Sequence, residues 1–183
     1  MSAVLERSLQ QHAADLRRYA RALVGHAGEA DELVQECLVR AIDRARFWRR
    51  IRDPRAYLFA IMHNAYVDWL AARRRQQRYV ELQLAVGARS VGTETQTAAV
   101  ELKDLERALP RLPAEQREVV LLVGLEGLSY QQAAAALGVP IGTVMSRLSR
   151  GREALRRLTE GMDRSSASAL QTTSAPRGHL RVV

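Results

Sequence analysis

Apolar residues recur every three to four positions along most of the chain, the period of a helix buried on one face. Leu5, Leu9, Leu16, Ala20 and Leu23 form a first stripe, which Gly25 and Gly28 interrupt. Leu33, Val34, Cys37, Leu38, Ala41, Ile42 and Ala45 form a second. A third helix has a clear start, because Asp53 can cap it and Pro54 suits its first turn. It is expected to reach about Arg75, with Leu58, Ile61, Ala65 and Trp69 towards the core and His63 as an exposed helix residue.

The pattern then lapses. Residues 79–101 contain two glycines and a Ser/Thr-rich stretch, and they read as a flexible linker. Helical spacing resumes from 102. Pro110 and Pro113 bracket a turn, and Glu115 to Val123 form a strongly apolar helix. After Gly127 the stretch SYQQ offers a capping box, with Ser129 at the cap and Gln132 three residues on. Gly138 ends that helix, and Pro140 opens another that reaches Leu158. Residues 161–183 contain few large apolar groups and read as a disordered tail. The expected fold is all-α: a three-helix domain over 1–78, the linker, and a helix-turn-helix domain over 102–160.

Charge changes this picture little by itself. The net charge is +8, and Lys103 is the only lysine among 28 basic residues, so the positive surface is arginine. Arginine forks onto phosphates and base edges, but a GC-rich coding sequence gives the same bias. The distribution says more, because a mildly acidic segment over 79–107 separates two basic ones. Cys37 is the only cysteine, which excludes an intrachain disulfide and the usual thiolate zinc site. No secretory signal pattern and no uncharged apolar run of membrane-spanning length is present, so a cytoplasmic protein without membrane insertion is expected.

The segment Ser129 to Arg157 carries the most specific chemistry. Two helices joined by a short glycine-containing turn make a helix-turn-helix, whose second helix can enter the major groove. The small residues Ala133 to Ala136 let the first helix pack closely, and Val144, Leu148, Gly151 and Leu155 form the buried side of the second. Thr143, Ser146, Arg147 and Arg150 then lie on the other side, within reach of base edges and phosphates. Arg150 is expected to fork onto a guanine, with Arg147 as the phosphate partner. Ser129, Tyr130 and Gln131 at the start of the first helix complete the DNA-contacting set.

At these residues the sequence resembles the extracytoplasmic-function group of sigma factors. The resemblance to region 4 runs through Leu109 to Leu158, and that to region 2 from about Leu16 to Arg75. It implies that DELVQE lies on the helix that docks on core RNA polymerase, with Asp31, Glu32, Gln35 and Glu36 offering an acidic face. It implies that Trp48, Arg49, Arg50 and Arg52, followed by Asn64, Asp68, Trp69, Arg73 and Arg74, take melted −10 promoter DNA. Stacking surfaces interleaved with positive charge suit single-strand binding, although Trp48 would also serve as a core anchor. Met145 and Ser149 depart from the residues relatives often carry there, which leaves the −35 sequence open. The resemblance also implies control by an anti-sigma factor, and it calls for no cofactor, metal or small-molecule substrate.

Three other readings compete. A one-component helix-turn-helix regulator would need a ligand or dimerisation domain, and residues 1–78 have the pattern of neither. A sigma-mimic adaptor would have no need of the Arg-rich loop or of Arg147 and Arg150. An enzyme would need a catalytic set or a phosphate-cradling loop, and four scattered histidines do not make one.

Overall fold

The computed structural model describes residues 3–44, 51–84, 105 and 107–171. Among them are six α-helices and no strand, as the apolar periodicity predicts. The first three are α1 (Ala3–Val24), α2 (Ala27–Asp43) and α3 (Pro54–Leu84). A 3₁₀ turn at Leu109–Arg111 leads into α4 (Ala114–Val120), which continues as a π-helical turn over Leu121–Leu125. The helix-turn-helix pair is α5 (Tyr130–Leu137) and α6 (Ile141–Gln171).

The boundaries follow local chemistry. Gly25 takes φ 82° after α1, and its N–H closes onto the Arg21 carbonyl at 2.9 Å. Asp53 caps α3, its Oδ1 accepting the Ala56 N–H at 2.9 Å. The capping box predicted for α5 is present: Gln132 N–H donates to Ser129 Oγ at 3.2 Å, and Ser129 N–H donates to Gln132 Oε1 at 2.9 Å. Gly138, at φ 64°, ends α5 in the left-handed region that favours glycine. Two helices run past their predicted ends, α3 to Leu84 and α6 to Gln171. Beyond Arg75, α3 runs through polar, Arg- and Gln-rich sequence with no apolar stripe to mark it, yet Arg, Gln and Leu are good helix formers.

In the first module, Leu16, Tyr19 and Leu23 of α1 are buried against Leu33 and Cys37 of α2 and against Leu58, Phe59 and Met62 of α3. Tyr19 meets Phe59 edge to face with ring centroids 5.2 Å apart, an arrangement that adds about 0.5–1.5 kcal/mol beyond burial. The Cys37 thiol donates to the Leu58 carbonyl at 3.7 Å, and burial pushes its pKa up to about 12, so it is structural and inert. In the second module, Val119 and Leu122 pack with Ala133, Ala136, Val144 and Leu148.

The two modules are not separate beads. Their apolar residues form one continuous buried cluster. Polar links stitch the seam between them. His63, expected as an exposed residue, is half-buried with its Nδ1 2.6 Å from Glu118 Oε1. Arg117 donates to the Leu23 carbonyl at 2.6 Å, which places a cation at the negative end of α1. Gln132, already part of the α5 capping box, donates to Asp53 Oδ2 at 2.7 Å. One residue thus ties the cap of α5 to the cap of α3.

Candidate nucleic-acid interface

Three surfaces follow from the residues singled out above. The first is on α2. Leu33, Val34, Cys37 and Ala41 point inward, which turns Asp31, Glu32, Gln35 and Glu36 to solvent together. Glu36 is partly neutralised by Arg40, whose Nε lies 2.7 Å from its Oε1. The unshared negative charge is therefore concentrated at Asp31 and Glu32. The contact between the modules leaves this face uncovered.

The second surface runs along α3. Arg52 just before it and Asn64, Asp68 and Arg74 on it are exposed. Asn64 Nδ2 donates to the Ala60 carbonyl at 3.0 Å, leaving its side-chain oxygen as an outward acceptor. Asp68 faces Arg40 at 2.8 Å, so it braces α3 against α2. Trp69 is half-buried and stacks on Tyr66 with centroids 5.8 Å apart, and the Arg73 guanidinium sits 5.0 Å from its ring centroid. Arg73 also pairs with Glu29 at the start of α2. Trp69 and Arg73 are thus engaged within the fold while remaining partly exposed, and Arg52, Asn64 and Arg74 are presented outward. Trp48, Arg49 and Arg50 lie outside the described residues.

The third surface is the helix-turn-helix. Ser129, Tyr130 and Gln131 are exposed at the start of α5. On α6, Val144, Leu148 and Gly151 are buried, as the stripe predicts. Thr143 and Ser146 are half-buried, with Ser146 Oγ donating to the Thr143 carbonyl at 3.1 Å. Arg150 is exposed, with its Nε 3.4 Å from the Ser146 carbonyl, long enough to be given up for a base or phosphate. Arg147, expected as a phosphate partner, is half-buried and pairs with the exposed Glu115 of α4 at 2.6 Å. Residues that turn fully outward on the first turns of α6 include Ile141, Gly142, Met145 and Ser149. Sequence reasoning left these out of the reading set, although they sit off the Val144/Leu148/Gly151 stripe.

It also missed the ionic centre of the seam. Glu126, which follows the π turn, has a side chain 0% exposed. Arg18 of α1 forks onto it, Nη2 at 2.6 Å and Nε at 3.1 Å. Arg55 of α3 donates to its backbone carbonyl at 2.7 Å and reaches its carboxylate at 3.4 Å. Burial pushes the Glu126 carboxyl above its ordinary range, and the bond from Arg18 opposes this only in part. The same bond holds the Arg18 guanidinium above its own. No sequence motif marks Glu126, because its partners are distant in the chain.

Comparison with known proteins bears on these surfaces. The family described as sigma-70, region 4 matches residues 102–155, and the sigma2 domain of PhyR matches residues 9–63. The chain is 38% identical over 143 residues to the ECF RNA polymerase sigma factor EcfG of Rhodopseudomonas palustris, covering 78% of each. It is 37% identical over 163 residues to the ECF sigma factor SigL of Mycobacterium tuberculosis, covering 84% of this chain and 88% of the relative. Among solved structures it resembles the sigma factor RpoE of Bartonella quintana, determined in complex with the anti-sigma factor NepR. The TM-score there is 0.69 at 33% identity, over 85% of this chain and 96% of the other.

Proposed function

The chain belongs to the extracytoplasmic-function group of sigma-70 RNA polymerase sigma factors, and we propose a division of labour among its surfaces for directing core polymerase to promoters. The division follows the domains expected at 1–78 and 102–160, which α3 and α6 carry on to Leu84 and Gln171. The α2 face of Asp31, Glu32, Gln35 and Glu36 docks on the polymerase. Arg52, Asn64 and Arg74, with Trp48, Arg49 and Arg50 of the preceding loop, take the melted −10 strand. The α5–α6 pair reads duplex −35 DNA through Ser129, Tyr130, Gln131, Thr143, Ser146 and Arg150. The protein does no covalent chemistry; it supplies binding and position, in the cytoplasm where polymerase works.

The observation that carries this reading is the joint presence of a capped helix-turn-helix with an exposed α6 face and a three-helix module with an acidic α2 face. The packed seam adds a mechanical step. At about 3.4 Å per base pair, the −10 and −35 elements lie on the order of 80 Å apart. Here α5 and α3 are joined by a 2.7 Å hydrogen bond. The closed arrangement cannot span both elements, so the modules part when the promoter is engaged. An anti-sigma factor, such as the one seen with the Bartonella relative, would act by holding or covering the modules before that step.

Run-off transcription with core polymerase on a genomic promoter pool tests the assignment. Specific transcripts are expected, and Asp31→Lys with Glu32→Lys should lower core binding tenfold or more without changing thermal stability. Absence of any promoter-specific transcript, or full core affinity in the double variant, would overturn the respective part.

A further inference from the structure

We propose that Met145 reads a thymine methyl group in the −35 element, so that this part of promoter recognition is apolar rather than ionic. The inference rests on the reading of α6 as the recognition helix. Met145 is 52% exposed, and Ile141, one turn earlier, is 41% exposed. Their spacing of four residues puts them side by side on the helix. Tyr130, 37% exposed at the first turn of α5, and Ser149 share with Met145 one open depression of about 480 Å³. A lone exposed apolar residue on a protein surface is ordinary. Two on adjacent turns at the start of a recognition helix, with a tyrosine beside them, call for a partner.

The chemistry of the major groove narrows that partner. Its floor is lined with hydrogen-bond donors and acceptors, and the one apolar group that an unmodified base presents there is the C5 methyl of thymine. Other groups on α6 are less available for the same task. Arg147 is held by Glu115, and the Ser146 hydroxyl is held by the Thr143 carbonyl. Arg152 lines the depression and Arg150 is exposed next to Ser149, while the one acidic lining residue, Glu153, is paired with Arg156 at 3.0 Å. The Arg150 and Arg152 guanidiniums can take phosphates while the thioether lies against the methyl. Methionine suits such a contact, being flexible and polarisable.

The test removes one methyl group at a time. Replacing thymine by deoxyuridine in a −35 duplex keeps every pairing and hydrogen-bonding group and deletes only the methyl. With the full-length protein and a duplex taken from a run-off-selected promoter, one such replacement should weaken binding about fourfold, the value of one buried methyl-sized group. Met145→Ala should lose a similar factor on the thymine duplex and be indifferent to deoxyuridine at that position. Met145→Leu should restore both affinity and sensitivity, and Arg150→Ala should stay sensitive. Met145 is exposed, so the melting temperature should be unchanged in each Met145 variant.

Insensitivity of the wild type at every thymine, or full sensitivity in Met145→Ala, would overturn the proposal. So would Met145→Ala weakening core polymerase binding while duplex affinity stays intact, which would make the patch a protein contact. Failure of the wild type to bind any −35 duplex would instead count against the recognition-helix reading itself.

Discussion

Glu126→Ala should loosen the seam between the modules without unfolding either one. The fork from Arg18, at 2.6 and 3.1 Å, disappears with the carboxylate. The Arg55 contact mostly survives, because its shorter bond, 2.7 Å, goes to the backbone carbonyl of residue 126. The loss is therefore one forked ion pair. Charged hydrogen bonds contribute about 1.5–3 kcal/mol when well buried. Arg18 is 48% exposed and regains water once released, which brings the expected cost down to about 1–2 kcal/mol. That shifts the ratio of closed to open protein roughly 5- to 30-fold. Glu126→Gln should cost less than Ala. It keeps the shape and one acceptor, and it removes a carboxylate whose burial is itself unfavourable. Small-angle scattering reads the change as a larger radius of gyration for Ala than for Gln, while helix content by circular dichroism stays constant. Unchanged compactness in Glu126→Ala, or a larger opening in Gln than in Ala, would refute the view that this ion pair holds the modules together.

Two further outcomes test the packing around the site. Gly151→Ala should destabilise the protein by about 1 kcal/mol in denaturant melts: a Cβ there would lie 2.7 Å from Val120 Cγ2, and overpacking of about 1–3 kcal/mol outweighs a helix-propensity gain of about 1. In a Val120→Ala background, where the obstructing methyl is gone, the same substitution should become neutral or stabilising. Asp53 is held below its ordinary pKa, chiefly by the Ala56 N–H and further by Gln132, so its stabilisation is present above about pH 4 and is lost as pH falls through the depressed folded value. Asp53→Asn keeps a capping oxygen and should flatten the acid limb of a stability–pH curve. Glu126 has the opposite sign, with stabilisation lost as pH rises through its raised folded value, so it cannot produce that limb.

The fold was legible in the sequence wherever local chemistry decides. Asp53, Ser129 with Gln132, and Gly138 each satisfy or stop backbone hydrogen bonds within a few residues of themselves, so their roles survive any tertiary arrangement. The apolar stripes of α1 to α3 and of α6 were readable for the same reason. Helix ends were not. From Arg74 to Arg78 every side chain of α3 is exposed, so no buried stripe marks its course, and helix-forming Arg and Gln carry it on. The π turn at Leu121–Leu125 was equally hidden, since the apolar stretch LLVGL looks the same in either helix.

Functional faces were legible only where exposure follows from periodicity. Asp31, Glu32, Gln35 and Glu36 were placed correctly on the surface because the buried stripe of α2 fixes what remains outside. The same logic applied to α6 did not foresee the ion pair that Arg147 makes with Glu115. The arginine's position is polar by the wheel, but α4 lies against that flank and supplies Glu115. Met145 was noted only as a departure from what relatives carry, and its 52% exposure beside Ile141 and Tyr130 becomes visible only once the helices are packed. The two observations are linked. Packing by α4 engages an arginine on one flank of α6 and leaves a methionine exposed on the other. Which side chains α6 presents therefore depends on which flank its supporting helix covers, and the sequence of α6 alone does not contain that.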